Sequence, residues 1–576
     1  MPAERLLHFN AFLMSCGHHE AAWRLPESDP SASLDVSYWT NLARIAERGT
    51  FDSVFLADGP ALWGHARFRP GGALEPTVLL TALAGATSRI GLIATASTSY
   101  NHPYNLARRF ASLDHVSGGR AGWNIVTTAT AAAAQNFGLD DNPAHAERYR
   151  RAAEFTDVSI RLWDSWEDGA ELSDKAAGVY ADDSRIHEID YQGEFFKVRG
   201  PLNVPRSPQG RPLLVQAGSS HDGREFAARY AEAVFTAQQT LGDAQEFYAD
   251  LKARVRRLGR DPDQVKILPG LVPAIGSTEA EARALEAELE ELIIPEYGLA
   301  QLAKVLEIPA ERLELDRGLP EEVYARPLVE GAQSRFELVT ELARRDNLTV
   351  RQLIGRLGGG RGHRTFAGTP EQVADTIVEW AEAGAADGFN VMPPVLPSGL
   401  EAFTEHVIPL LRQRGVFRTE YTGRTLREHY GIPRPDNVFA AARPEARLTS
   451  RSVDAGGTSR RGEATWSIPQ AMTSTRPSTG APRTPSTPRP SSSPTWSSST
   501  APRSSRMRSP YSTPTRRRTG TVRSSAGPTC HPRRRAAPFR VERVQQLARP
   551  RRARHRRAAA ALPAAARAAI LQHPRL

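Results

Sequence analysis

Cysteine is almost absent from this chain: Cys16 and Cys530 are the only two in 576 residues. So few and so distant, they exclude a disulfide framework and a Cys-rich zinc site. Long apolar runs are missing too. No stretch approaches the roughly 18 residues that argue for a membrane span. Met1 to Phe12 lacks a basic start followed by an apolar core, so no secretory signal is expected. A cytoplasmic protein without a membrane partner is the expectation. No Gly-rich dinucleotide fingerprint follows the first apolar run, and there is no P-loop lysine.

Lysine is also wholly absent from residue 441 onward, and this exposes two unlike pieces. Residues 441–576 hold 28 Arg and four acidic residues, a net charge of +24, which leaves −14 for 1–440. The overall +10 and the isoelectric point of 9.8 therefore belong to the tail. Only 12 of the tail's 136 residues are Val, Ile, Leu or Phe, about 9%. A chain below about 20% with high net charge buries too little to offset its ordering entropy. Three readings of 441–576 stand side by side: a disordered low-complexity extension, a basic arm for nucleic acid or an anionic surface, and out-of-frame translation of GC-rich coding sequence.

Residues 1–440 form the expected enzyme domain. Short β-branched runs alternate there with helical patterns. The runs are Leu6–Leu13, Ser53–Asp58, Ile90–Thr98, Ala121–Thr128, Leu213–Gly218, Ala233–Gln238, Lys266–Gly276 and Gly388–Pro394. Eight strand–helix units predict an α/β fold, a (β/α)8 TIM barrel. Two spacings, 129–212 and 277–387, are too long for simple units and predict insertions with their own helices above the site. The second contains the Gly-rich segment GRLGGGRGHRTFAG, which reads as a mobile lid.

In such a barrel the chemistry sits at the C-terminal strand ends. Those ends carry Asp58 after the second run, Thr95 in the third, Asn124 in the fourth, and Gly218-Ser219-Ser220 after the fifth. They hold hydroxyls, a carboxylate and an amide but no metal-ligand set. A lone Asp after a strand is more often a helix cap than a ligand. Gly218-Ser219-Ser220 before a helix suits a phosphate, and suits a plain Ser cap equally well. His145 and Tyr149, four apart, share one helix face. They make either a hydrogen-bonded pair or part of a solvated charged face. Phe12, Trp123 and Phe389 are candidates for an apolar wall or for ordinary core.

Seven ordered segments resemble the nitrilotriacetate monooxygenase component A group of the bacterial-luciferase-like flavin-dependent monooxygenases. They are AFLMSCGHHEAAWR, AERGTFDSVFLAD, TASTSYNHPYNLARRFASLDHVSGGRAGWNIVTT, NFGLDDNPAHAERYRRAAEF, FFKVRGPLNVPRSPQGRPLLVQAGSS, ARYAEAVFTAQ and FAGTPEQVADTIVEWAEAGAADGFNVMPPVLP. The resemblance runs from about residue 5 to about 437, and the tail has no counterpart in it. It implies a TIM barrel that uses reduced FMN (FMNH2) and O2 as co-substrates. A separate NAD(P)H:FMN oxidoreductase would supply the reduced flavin. It also implies that Asp58, Thr95, His145, Tyr149 and Ser219 bind FMN, assisted by Ser220 and Asn124, with His145 a candidate for moving a proton.

The reaction expected is oxygenation of a small organic substrate that cleaves a C–N or C–S bond, in a pocket that excludes water. A homo-oligomer, dimer or tetramer, is expected, and a nucleic-acid partner is not. Two alternatives are a deazaflavin-dependent oxidoreductase of the same superfamily and a nucleic-acid or anionic-surface binder acting through the Arg-rich tail. An anionic substrate would need several basic residues at the pocket, and Arg108, Arg109, Arg361 and Arg364 are the candidates.

Overall fold

The computed structural model describes residues 6–62, 66–70, 73–325 and 333–440. The tail at 441–576, with the expectations placed on it, lies outside the described residues.

Each of the eight apolar runs contains a strand. They are β1 (His8–Leu13), β2 (Ser53–Leu56), β3 (Gly91–Ser97), β4 (Ala121–Val126), β5 (Leu213–Gln216), β6 (Ala233–Thr236), β7 (Lys266–Ile275) and β8 (Gly388–Val391). Helices cover their outer face and side chains fill the inside. Neither face is wet, so the runs are continuous rather than alternating. Neighbours pair in parallel in chain order. β8 closes the ring against both β1 (His8↔Gly388) and β7 (Gly270↔Asn390). The result is a closed eight-stranded parallel TIM barrel.

The barrel helices begin where cap residues predict. They are α1 (Val36–Arg48), α2 (Pro76–Ala86), α3 (Pro103–Ser117), α4 (His145–Trp163), α5 (His221–Tyr230) and α6 (Leu241–Arg257). Asp35 caps α1 through the amide of Ser37, and Ser220 caps α5 through that of Gly223. The stretch 277–387 contributes α7 (Glu279–Glu291), α8 (Pro295–Leu306), α9 (Gln333–Arg345), α10 (Val350–Gly360) and α11 (Pro370–Glu382). Helices α8 to α10 share a separate apolar core built on Leu302, Leu306, Val339 and Leu353.

Two expectations about the insertions change. The stretch 129–212 adds only the short helix Ala131–Asn136 besides α4, and then two small antiparallel hairpins, Glu171–Asp174 with Val179–Ala181 and Tyr191–Gln192 with Lys197–Val198. The Gly-rich segment is not a loop. Its first part ends α10, and Arg364–Gly368 is a strand that pairs with the far half of β7. β7 is long enough, at 10 residues, to hold β6 with one half and this extra strand with the other.

Phe12, Phe55 and Phe235 fill the barrel interior, with the Phe12 and Phe55 rings stacked at 4.6 Å. The N-terminal face is sealed by residues 418–432. Leu426 lies where a side chain on Gly91 would have to go, 2.3 Å from the position of its Cβ, so only glycine fits there. Tyr430 donates its hydroxyl hydrogen to Asn10 Oδ1 at 2.6 Å, and Asn10 donates to Asn390 at 2.9 Å. This closed polar layer leaves the opposite, C-terminal mouth open for function.

Candidate active site

Three groups of the sequence-selected residues stand at the C-terminal mouth. The first surrounds the start of α5. Tyr149, one turn into α4, hydrogen-bonds through its hydroxyl with the side chains of Ser220 and Thr127. Burial is the main reason its phenol is pushed up from the ordinary value. Ser220 accepts from the Gly223 amide at 3.2 Å, and Ser219 Oγ lies 3.2 Å from Thr236 Oγ1. His145 Nδ1 is 3.1 Å from Asp222 Oδ2, and its ring centroid is 5.0 Å from that of Tyr149. The His145–Tyr149 pair is therefore not a merely solvated face. Ser220 is both a helix cap and a neighbour of the Tyr149 hydroxyl.

Gly218 makes this grouping possible. A Cβ there would sit 2.3 Å from Gln216 Nε2 and 2.8 Å from the Tyr149 hydroxyl. A bare backbone thus lies against polar groups, beside the N-terminus of a ten-residue helix whose partial positive charge faces the same place.

The second group lies deeper. Thr95 and Asn124 are register partners on β3 and β4, and Asn124 Nδ2 donates to Thr95 Oγ1 at 2.9 Å. Both are about 3% exposed. Asn124 Oδ1 and the nearby Gln216 Oε1 are buried acceptors without a hydrogen-bond partner. Orphaned acceptors of this kind are uncommon in native cores and fit a donor-bearing ligand.

The third element is Asp58, two residues past β2. It stands between a cavity of about 470 Å³, which reaches Val126 and Thr128, and another of about 400 Å³ lined by Leu13, Met14 and Trp39. Burial raises its carboxyl above the ordinary value, and Glu75 adds to this.

The expected apolar wall divides. Phe12 points into the barrel, whereas Trp123 and Phe389 belong to the layer between strands and helices. The strand repeat of two explains it: Asn124 and Asn390 face inward, so their neighbours Trp123 and Phe389 face out. Of the four candidate arginines only Arg361 lines the larger cavity. Arg108 is exposed on α3, Arg109 binds Asn101 Oδ1 at 2.7 Å, and Arg364 donates to the Gln239 carbonyl at 3.3 Å.

Sequence reasoning passed over a cluster opposite the hydroxyls. Arg69, Arg335, Arg361 and Glu20 line the far end of the 470 Å³ cavity, with His18, His19 and His363 packed alongside. Burial and then the charge of Arg361 press the His18 and His19 rings down to about 3 and about 4, so both are neutral at pH 7. Burial and the like charge of Arg69 lower the Arg361 guanidinium to about 10, against the opposing pull of Glu20. The HH doublet was a signal in the sequence. Arg335 lay inside an ordinary charged helical pattern and gave none.

These features match what the chain is similar to. The luciferase-like monooxygenase family model matches residues 11–387. Nitrilotriacetate monooxygenase component A of Aminobacter aminovorans is 48% identical over 453 residues, which cover 76% of this chain and 99% of that protein. N-acetyl-S-(2-succino)cysteine monooxygenase of Bacillus subtilis is 47% identical over 438 residues, with the same coverage of 76% and 99%. Among solved structures, EDTA monooxygenase from a Chelativorans species has a TM-score of 0.62 and 38% identity, and covers 74% of this chain and 99% of that one. The chain belongs to the luciferase-like monooxygenase family and is a flavin-dependent monooxygenase.

Proposed function

We propose that this enzyme is the oxygenase half of a two-component system, that it binds reduced FMN made by a separate NAD(P)H:FMN oxidoreductase, and that it cleaves a C–N or C–S bond of a small organic substrate. The observation that carries this reading is the hydroxyl cluster of Tyr149, Ser220 and Thr127 at the start of α5, with Gly218 bare beside it. Backbone amides, hydroxyls and a helix N-terminus together suit a phosphate. The flavin, when bound, supplies the reaction with O2.

The chain's residues have separable tasks. Ser219, Ser220 and Tyr149 hold the phosphate. Asn124 offers an unpartnered acceptor to a ring N–H or ribityl hydroxyl, with Thr95 fixing its amide and Asp58 closing the outer edge. Asp222 beside His145 Nδ1 favours the tautomer with its proton there, which leaves Nε2 to take up a proton. Phe12, Phe55 and Phe235 keep the barrel floor dry.

The relatives' names support the two-part reading: one is a "component A", and pristinamycin IIA synthase subunits A and B are 44% and 37% identical over their matched lengths. They also support the bond classes, since a dibenzothiophene-sulfone monooxygenase is 40% identical. The cytoplasm and a homo-oligomeric assembly complete the proposal.

Anaerobic titration with FMNH2 tests it. Gly218→Ala should weaken reduced-FMN affinity at least tenfold and Tyr149→Phe about tenfold, the order expected for one lost charge-assisted hydrogen bond. Unchanged affinity in both would remove the α5 start from the flavin site.

A further inference from the structure

We propose that the substrate of this oxygenase is an organic carboxylate with an apolar body, and that Arg69, Arg335 and Arg361 are the residues that select it. The inference rests on the flavin reading above and concerns the opposite end of the same cavity. One end of that 470 Å³ space is formed by Asp58, Val126 and Thr128 at the barrel mouth. The other end is formed by Arg69, Arg335, Arg361 and Lys304, and apolar side chains of α8 to α10 such as Val305, Val339 and Leu357 lie between. A molecule that reaches the mouth with its reacting end leaves its other end among guanidinium groups.

Those groups lack partners. Arg335 Nη1 and Arg361 Nε are buried without a hydrogen-bond acceptor among the described residues. Arg361 Nη1 turns to the sulfur of Met14 at 3.4 Å, and Arg69 reaches only the Tyr297 hydroxyl at 3.4 Å. The carboxylates lining the cavity are Glu20 and Asp58, against four cations. Burial pushes both carboxyls up, so they neutralise the cations poorly. Buried cations are normally paired, and an unpaired set calls for an anion. A guanidinium fork binds a carboxylate through two parallel hydrogen bonds.

Backbone conformation gives a second, independent indication. Arg361 occupies the left-handed position that ends α10, with φ of 50° and ψ of 33°. Gly358, Gly359, Gly360 and Gly362 surround it in the sequence. Glycine is the ordinary residue at such a helix end. An arginine there costs of order 1 kcal/mol in backbone strain, so its side chain has a use that glycine cannot supply. The phosphate of the flavin does not need this cluster, since the α5 start lies on the other side of the mouth.

The test titrates the full chain with benzylsuccinate, nitrilotriacetate and hexanoate, and with the methyl ester of each, both with and without saturating FMNH2 under anaerobic conditions. At least one acid should bind about tenfold or more tightly than its ester. Arg335→Gln and Arg361→Gln should each weaken that acid about tenfold while leaving the ester unchanged. Arg361→Lys, which keeps the charge but loses the fork, should weaken it less. Failure of all three acids, equal binding of acid and ester, or unchanged acid binding in the Gln variants would overturn the proposal. So would a matching loss of FMNH2 affinity in the Gln variants, because the cluster would then hold the flavin. If wild type binds the acid but not FMNH2, the flavin reading fails and the carboxylate site stands.

Discussion

At the scale of single residues, Asp52 shows how a buried charge is made tolerable. It lies just before β2 with no exposed surface. Burial would raise its carboxyl, but Arg418 at 2.5 Å and His8 at 3.0 Å outweigh that and hold it at about 2. The amide of Phe9 donates a further bond at 2.7 Å. A folded value below the unfolded value of 3.8 means that the stabilisation is complete above about pH 4. It is lost as pH falls toward 2, because the unfolded chain then binds the proton more readily. The shift corresponds to about 2 kcal/mol. Urea unfolding of Asp52→Asn and wild type across pH 5 to 2 should show a stability gap that is largest at the high end and closes toward pH 2. A gap independent of pH would mean that Asp52 is not the group responsible.

At the scale of elements, the segment 418–437 holds the bottom of the barrel shut. Arg427 pairs bidentately with Glu232, both buried, and Glu232 also accepts from the Leu214 amide at 2.9 Å. Arg206 and Arg211 both meet Asp164, at 3.0 and 3.1 Å, and Asn437 donates to the Asp164 carbonyl at 2.8 Å. These charges tie the segment to the loops before β5 and after α4. Removing one partner leaves the other buried and unpaired, which typically costs about 3–5 kcal/mol. Arg427→Met should lose stability of that order in chemical denaturation, and the double variant Arg427→Met with Glu232→Leu should recover part of it. A loss below about 1 kcal/mol for the single change would place the pair with exposed, weakly coupled bridges.

At the scale of the whole molecule, the relatives span 76% of this chain while 99% of their own length is matched. The matched length contains the barrel, the hydroxyl cluster and the arginine cluster. A chain ending at Ala440 should therefore keep its melting temperature, reduced-FMN affinity and oxygenase turnover. A folded but inactive truncation would show that residues 441–576 take part in function.

The order of βα units was readable because a buried parallel strand and an amphipathic helix impose different periods on the residues themselves. All eight strands lie within the eight apolar runs for that reason. Asp58, Thr95, Asn124 and Ser219 could be chosen because a TIM barrel places its chemistry at the strand ends, a rule that needs only the strand positions. Other features depended on distance in space. Whether Trp123 or Asn124 faces inward hung on register, and one residue of phase reverses the answer. The Gly-rich run looked like a loop until α10 and β7 gave its backbone hydrogen bonds somewhere to go. The arginine cluster joins positions 69, 335 and 361, and no local pattern links them. The order of strands and helices thus follows from short-range chemistry carried in the sequence. The arrangement of charge around the cavity was decided only by the tertiary structure, because electrostatic neighbours are set by where the chain packs.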